Sequence, residues 1–221
     1  MRFGFTDLSR DEGDRLVFGW KNLFLTLWRE VYTLIRANLC FLLFCLPIVT
    51  IPPALTALYG VCVDAIRGQK CQVGKTFLKT IKTQFLSSWA LFLGLAGVET
   101  VSCVAAWFYF TRGNWMLSLL GLMATAIGVV VLFMIPYCFC MLARVRLPLK
   151  QVVKNGFLLS FLNLKFSICS TVLAIAIVLV LLLWWLYLLP LILLIGEAFV
   201  AYLTGYFSLY GLQKFVLTEE L

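Results

Sequence analysis

Two glutamates are the residues of this chain most able to carry chemistry, because each lies inside a long apolar run. They are Glu99 and Glu197. A charged carboxylate in a bilayer costs roughly 2–3 kcal/mol or more, so it normally faces a partner or a cavity. Either residue handles protons, cations or a substrate hydroxyl, or it is protonated and hydrogen-bonds a neighbouring helix. Since no Lys or Arg lies within those runs, the second interpretation is favoured.

The residues that other common catalytic and metal-binding sites require are missing from the sequence. The chain has no histidine, which excludes His-based triads and His-metal sites, and its eight cysteines form no CxxC pair. The segment from Gly68 to Thr76 resembles a phosphate loop, but it places five residues between the glycines where four are required. The sequence therefore predicts no catalytic residue, no metal site and no cofactor.

The composition indicates a membrane protein. Residues of the set AVILMFWYC make up 63% of the 221 residues and only 13% are charged, against about 45–50% apolar and about 25% charged in soluble domains. The net charge is +8, but the basic residues lie between apolar runs and form no single stripe. We therefore expect a lipid bilayer as the environment and no nucleic acid as a partner.

Long apolar runs predict an all-α bundle of transmembrane helices. Residues 86–143 form one helical hairpin with a turn at Thr111–Asn114, and residues 164–212 form another, divided at Trp184–Pro190. Basic residues precede the first hairpin and lie between the two, whereas the hairpin tips hold only Arg112. The positive-inside bias therefore places the basic segments in the cytoplasm.

The first apolar region, residues 37–67, is broken by prolines. We expect Thr50 to cap a second helix, with Pro52 and Pro53 in its first turn and Gly68 after its end, while Pro47 stops the first helix. Two crossings here give about six membrane segments, with both termini cytoplasmic, and a single kinked crossing gives five. A short or re-entrant second helix is compatible with the first count.

The sequence predicts three amphipathic helices at the cytoplasmic surface. One is residues 1–36, which precede the first apolar region, and the other two precede the hairpins. The last two carry lysines about four residues apart with apolar residues between them, and we expect them to lie in the headgroup plane or to dock on a partner. The candidate docking residues are Lys75, Lys79, Lys82, Lys150, Lys154 and Asn155.

Residues 39–67 resemble the signature of the YesL-like family of bacterial membrane proteins. The quoted elements are the apolar run ending at Pro47, then Ile-Val-Thr50-Ile-Pro-Pro53, then Thr-Ala-Leu-Tyr59, then Arg67-Gly68. Pro52 stands where the family usually has glycine, and Glu197 stands in a region that is usually apolar. The two lysine-rich segments also resemble the family, so the resemblance extends over nearly the whole chain.

The resemblance implies a function through the proteins that are encoded beside family members. Family members look like accessory proteins encoded beside the permease and sugar-binding subunits of carbohydrate ABC importers. We therefore expect a non-enzymatic accessory subunit or assembly factor in the bacterial inner (plasma) membrane, with permease subunits as partners. The alternative is a small stand-alone transporter of a polar solute that uses the proline-broken helix and Glu99 or Glu197. An intramembrane enzyme ranks third.

Overall fold

The computed structural model describes residues 20–69, 72–144, 147–183 and 196–216. In these ranges the chain is helical and holds no strand, which confirms the predicted all-α class. The helices are α1 (Trp20–Cys45), α2 (Ile51–Ile66), α3 (Val73–Phe110), α4 (Trp115–Arg144), α5 (Leu149–Leu162), α6 (Leu164–Leu183) and α7 (Glu197–Val216).

Helix α2 lies at the centre of the bundle, where it packs against α1, α3, α4 and α7. Its sequence is apolar on every side, as expected for a helix that other helices surround, and 14 of its 16 residues are buried. Pro52 and Pro53 occupy its first turn, as predicted. Gly68 follows its end with a φ of +68°, a conformation that favours glycine.

The turn before α2 differs from the prediction in the role of Thr50. A cap would accept a hydrogen bond from the helix, but the Thr50 side chain makes no cap bond. Its hydroxyl donates instead to the carbonyls of Phe44 and Pro47, the latter at 2.7 Å. Residues Ile48–Thr50 form a 3-10 turn. Thr50 therefore occupies the predicted N-cap position of α2, while its side chain bonds carbonyls at the end of α1 and makes no capping bond.

Helices α3 and α4 form the predicted hairpin around the Thr111–Asn114 turn, where Gly113 has a φ of +65°. By length and composition, three stretches within the described ranges qualify as membrane spans: Ile48–Ile66, Val73–Phe110 and Trp115–Arg144. A bent pair, Leu149–Leu162 with Leu164–Ile177, would add a fourth. The long apolar helices are compatible with a membrane protein. The total of six membrane segments remains a prediction.

Both lysine-rich segments before the hairpins are helical, and each is set off from the apolar helix that follows. In α3 the backbone leaves helical geometry at Gln84 (φ −122°, ψ 16°). Helix α5 ends at Asn163, and α6 departs from it at 98°. A kink at Gln84 and a 98° bend after α5 therefore separate the two basic segments from the apolar helices that follow them.

Some predicted boundaries do not coincide with helix ends. Helix α1 runs unbroken across the predicted boundary at residues 36 and 37, α3 begins before residue 86, and α7 extends past residue 212. The predicted division of the last hairpin at Trp184–Pro190 lies outside the described ranges, as do residues 1–19 of the N-terminal segment.

Candidate functional site

Among the described residues, one group of buried polar side chains lies around α2, and it is the best candidate for a functional site. Thr56 bonds Ser88 of α3 through the two hydroxyls at 2.8 Å. Three residues on, the Tyr59 hydroxyl lies 3.1 Å from the Thr204 hydroxyl of α7. Both pairs are buried, so each links α2 to a different neighbour without access to water.

A buried ion pair lies at the carboxyl end of α2. Asp64 contacts Arg144, the last residue of α4, and the Arg144 guanidinium also donates to the Gly60 carbonyl at 2.5 Å. Asp64 is only 7% exposed. The charges neutralise each other, and the backbone carbonyl satisfies part of the remaining donor capacity of the guanidinium. Arg144 Nε is buried and has no hydrogen-bond partner in the part of the chain that the structure describes.

The sequence analysis did not identify this pair. Asp64 lies within the first apolar region, residues 37–67, but only Glu99 and Glu197 were considered there as intramembrane carboxylates. A signal was present, because Thr56, Gly60 and Asp64 are four residues apart and share one face of a helix. Only the packing of α4 across that face shows that the last two contact the same arginine.

Asn38 joins the first described helix to the last one. Its side chain is fully buried, and its Oδ1 accepts a hydrogen bond of 3.0 Å from the backbone N–H of Ala198. That amide belongs to the first turn of α7, whose N–H groups have no partner within the helix itself. Asn38 therefore caps α7 from a helix 160 residues away in the sequence, which no local pattern could indicate.

Glu99 is half-buried and faces α4. Its carboxyl oxygens lie 3.4 and 3.6 Å from the position that a Cβ would occupy on Gly128. Oε1 accepts from the Cys103 thiol at 3.8 Å, while Oε2 is buried without a hydrogen-bond partner among the described residues. The neighbouring Thr100 hydroxyl donates to the Ala96 carbonyl of its own helix and not to Glu99.

Glu197 lies apart from Glu99. It is the first residue of α7, and its side chain is exposed. Each of the two glutamates therefore occupies its own environment, Glu99 on α3 facing α4 and Glu197 at the start of α7. The two residues do not form one proton- or cation-binding cluster.

The remaining predicted residues divide by burial. Pro52, Pro53 and Tyr59 are buried in the α2 core, whereas Pro47 is exposed. The docking lysines all lie at the surface: Lys75, Lys79, Lys82, Lys150 and Lys154 are exposed, and Asn155 is half-buried. The structure thus separates a buried polar core from two exposed basic segments.

Within the described ranges, no set of side chains is assembled to bind a metal ion or to carry out redox chemistry. No group of three or more cysteine and carboxylate side chains is close enough to hold a metal ion. The seven described cysteines are free thiols, and Cys62, Cys138 and Cys140 are buried. Cys138 contacts α5, where a Cβ on Gly156 would lie 2.4 Å from its sulfur. In this part of the chain the buried thiols fill space between helices.

Comparison with known proteins gives one match. Residues 34–105, about a third of the chain, match a family described as "Protein of unknown function, DUF624". The matched stretch contains the second half of α1, the proline turn, all of α2 and most of α3. No curated protein and no solved structure gives a significant match.

Proposed function

We propose that this protein is a non-enzymatic accessory subunit or assembly factor of a carbohydrate ABC importer in the bacterial inner membrane. The observation that carries the proposal is the resemblance of residues 39–67 to the YesL-like signature, whose bearers look like companions of such importers. The matched stretch of residues 34–105 includes this signature. Inference from genomic companions is associational, so physical support has to come from the surface of the protein.

The exposed lysine-rich segment of α3 supplies that support. Lys75, Lys79 and Lys82 all point outward, and Leu78 beside them is 50% exposed. The opposite face of the segment is anchored, since Phe77 is fully buried and its ring stacks on Phe44 of α1 at 5.8 Å. A rigidly held helix that presents cations and an apolar side chain suits docking to an acidic surface of a partner protein.

The polar core around α2 suits a structural role better than a chemical one. Thr56, Tyr59 and Asp64 each have a partner on a neighbouring helix. Groups bonded to one another in this way hold the bundle together. A transporter would instead need some of these groups to bind a solute. The stand-alone transporter therefore remains the alternative, supported by the proline turn and by the unbonded oxygen of Glu99.

The test is affinity purification of the tagged full-length protein from native membranes in mild detergent. We expect permease subunits of a carbohydrate importer to stay bound. A variant with Lys75, Lys79 and Lys82 changed to Gln should retain less permease. The matched control is Arg112→Gln at the hairpin tip, which removes a cation away from the proposed docking face and should leave retention unchanged.

Two outcomes would contradict the proposal. Recovery of the protein without any importer subunit would remove the partner. Solute uptake by liposomes that contain only the purified protein would promote the transporter, particularly if Glu99→Gln abolished that uptake while the variant remained in the liposomes.

A further inference from the structure

The position of the α1–α2 turn along α3 is fixed by two hydrogen bonds. The Trp89 indole N–H donates to the Val49 carbonyl at 2.8 Å, and Ser88 bonds Thr56 at 2.8 Å. The turn between α1 and α2 therefore lies beside residues 88–89 of α3. From Trp89 to the end of α3 at Phe110 the helix contains no further break, and these 21 residue steps rise about 32 Å.

That length equals the thickness of the hydrocarbon core, about 30 Å. The α3–α4 hairpin beyond Trp89 is thus long enough to cross the bilayer by itself. The proline turn lies at the end of this span that is opposite the Thr111–Asn114 tip. Two full crossings by α1 and α2 would instead place the turn and the tip on the same side of the membrane.

Burial along α4 gives the same division. From Trp115 to Val129 its large apolar side chains are mostly exposed, whereas from Val131 to Leu142 most residues are buried by other helices. On α3, Leu93, Val101 and Trp107 are likewise 59–75% exposed. If the bilayer surrounded α1 and α2 lengthwise, this apolar hairpin would project into water, which soluble surfaces avoid.

Helix α1 is also poorly suited to crossing. Its charge-free end, Ala37–Cys45, has nine residues and rises only about 14 Å, half the hydrocarbon thickness. Arg36 is exposed just before it. If α1 crossed and ended at Cys45, Arg36 would face lipid near the bilayer centre, where a charged side chain is strongly disfavoured.

The exposed surface of α1 carries an apolar stripe, which the exposed Arg36 interrupts between Tyr32 and Leu39. Residues at helical spacing of three, four and seven form it: Leu25 (69% exposed), Trp28 (84%), Tyr32 (64%), Leu39 (51%) and Leu43 (63%). Cations accompany the stripe, because Arg29 is exposed and Arg36 lies 4.2 Å over the Tyr32 ring and donates to its hydroxyl at 2.8 Å. This pattern is typical of a helix that lies in the headgroup plane.

We propose that α1 and α2 form a hairpin that does not cross the bilayer but lies along the membrane face opposite the Thr111–Asn114 tip, with the α1 stripe in contact with lipid. The buried α2 is then the core of a helical body at the membrane surface, and the α3–α4 hairpin projects from this body across the membrane. The proposal is independent of the importer partner.

Single cysteines at the two ends of α2 test the placement. Ile48→Cys, Gln69→Cys and Asn114→Cys are introduced one at a time into a full-length variant that lacks the native cysteines. All three positions are exposed. A membrane-impermeant thiol reagent is applied to right-side-out and to inside-out vesicles. We expect positions 48 and 69 to react from one side and position 114 from the other.

Each departure from this pattern has a meaning. Reaction of position 48 on the same side as position 114 would establish two crossings and overturn the proposal. Position 48 unreactive from both sides would place the turn within the hydrocarbon and would also overturn it. Reversal of all three positions together would leave the α1–α2 inference intact and would contradict only the expected cytoplasmic orientation. Gel filtration of each variant checks that the protein remains folded.

The lipid contact of the stripe has its own measurement. Spin labels at Leu39 and Leu43 are compared in nanodiscs of phosphatidylethanolamine and phosphatidylglycerol, with a label at Gln69 as the water-exposed control. We expect collisions with oxygen to exceed collisions with a water-soluble nickel complex at positions 39 and 43, and the reverse at 69. Protection from both agents would show that a second copy of the chain covers the stripe, and nickel access would show water; both contradict lipid contact.

Discussion

At the residue scale, the described core depends on a few polar side chains in an apolar bundle. Asn38, Tyr59 and Asp64 are each buried and bonded to a residue far along the chain. An unbonded polar group in such surroundings costs about 1–3 kcal/mol. These residues therefore select one arrangement of helices among the many that apolar side chains alone would tolerate.

The Asp64–Arg144 pair gives the first prediction. Asp64→Asn removes one charge and leaves the arginine without a counter-ion, so we expect a loss of about 3 kcal/mol, the lower end for a broken buried pair because Arg144 keeps some exposure. Replacing both residues, as in Asp64→Leu with Arg144→Leu, should be closer to the wild type than Asp64→Asn alone. Thermal unfolding in detergent, followed by circular dichroism, measures both effects. A double variant less stable than Asp64→Asn would contradict this account.

Glu99 and Glu197 give the second prediction, which asks whether they titrate or only pack. Glu→Gln keeps the shape and one carbonyl oxygen, so we expect it to be tolerated at both positions. Glu→Leu at position 99 removes only the contact with the Cys103 thiol of the same helix, so we expect a loss no larger than about 0.6 kcal/mol, which is typical of a polar contact between helices. The assay is growth on the carbohydrate that the importer supplies, with protein levels in the membrane measured in parallel. A Gln variant present in the membrane but inactive would favour the transporter.

At the scale of the elements, close approach of backbones sets the packing of α4 and α5. A Cβ on Gly156 would lie 2.4 Å from the Cys138 sulfur, and the Cys138 thiol donates to the Val152 carbonyl at 3.9 Å. The helix itself was predictable from its lysine spacing, but its buried face was not. The partner residues of that face come from α4, and no pattern within α5 specifies them.

The third prediction concerns this contact. Gly156→Ala should destabilise the protein by about 1–3 kcal/mol, as overpacking does, because the added methyl group meets the sulfur of Cys138. Cys138→Ala removes that sulfur and should restore much of the loss in the double variant. Gly94→Ala is the matched control, since a Cβ there meets nothing within 4 Å. The unfolding temperature in detergent is measured for the wild type, Gly156→Ala, the double variant and Gly94→Ala. Equal losses of stability in Gly156→Ala and Gly94→Ala would refute the steric explanation.

At the scale of the whole molecule, the sequence predicted the helices better than their arrangement. Apolar length and turn residues located α2 and the α3–α4 hairpin, because these signals are local. The central position of α2 was not predictable. A helix that is apolar all round is buried either by lipid or by other helices, and only the contacts with α1, α3, α4 and α7 decide between them.

The fourth prediction concerns which side of the membrane the tip of the α3–α4 hairpin and the basic segment of α5 face. Gln151→Cys in α5 should be shielded from an impermeant thiol reagent in intact cells, whereas Asn114→Cys should react, because basic segments remain inside. Both positions are exposed on the protein surface, so differences in reactivity report the membrane and not the fold. Labelling at Gln151 from outside would overturn the two-hairpin arrangement and the charge argument behind it.

The partners of α2 also determine when its polar groups become satisfied during synthesis. Tyr59 and Cys62 bond residues of α7 that are 145 and 136 positions later, and Asp64 waits for Arg144. The early helices therefore leave the ribosome long before their partners exist. A chain that stops before α7 would leave the buried Tyr59 hydroxyl and Cys62 thiol without these partners, so we expect α2 to reach its final packing only after α7 is made.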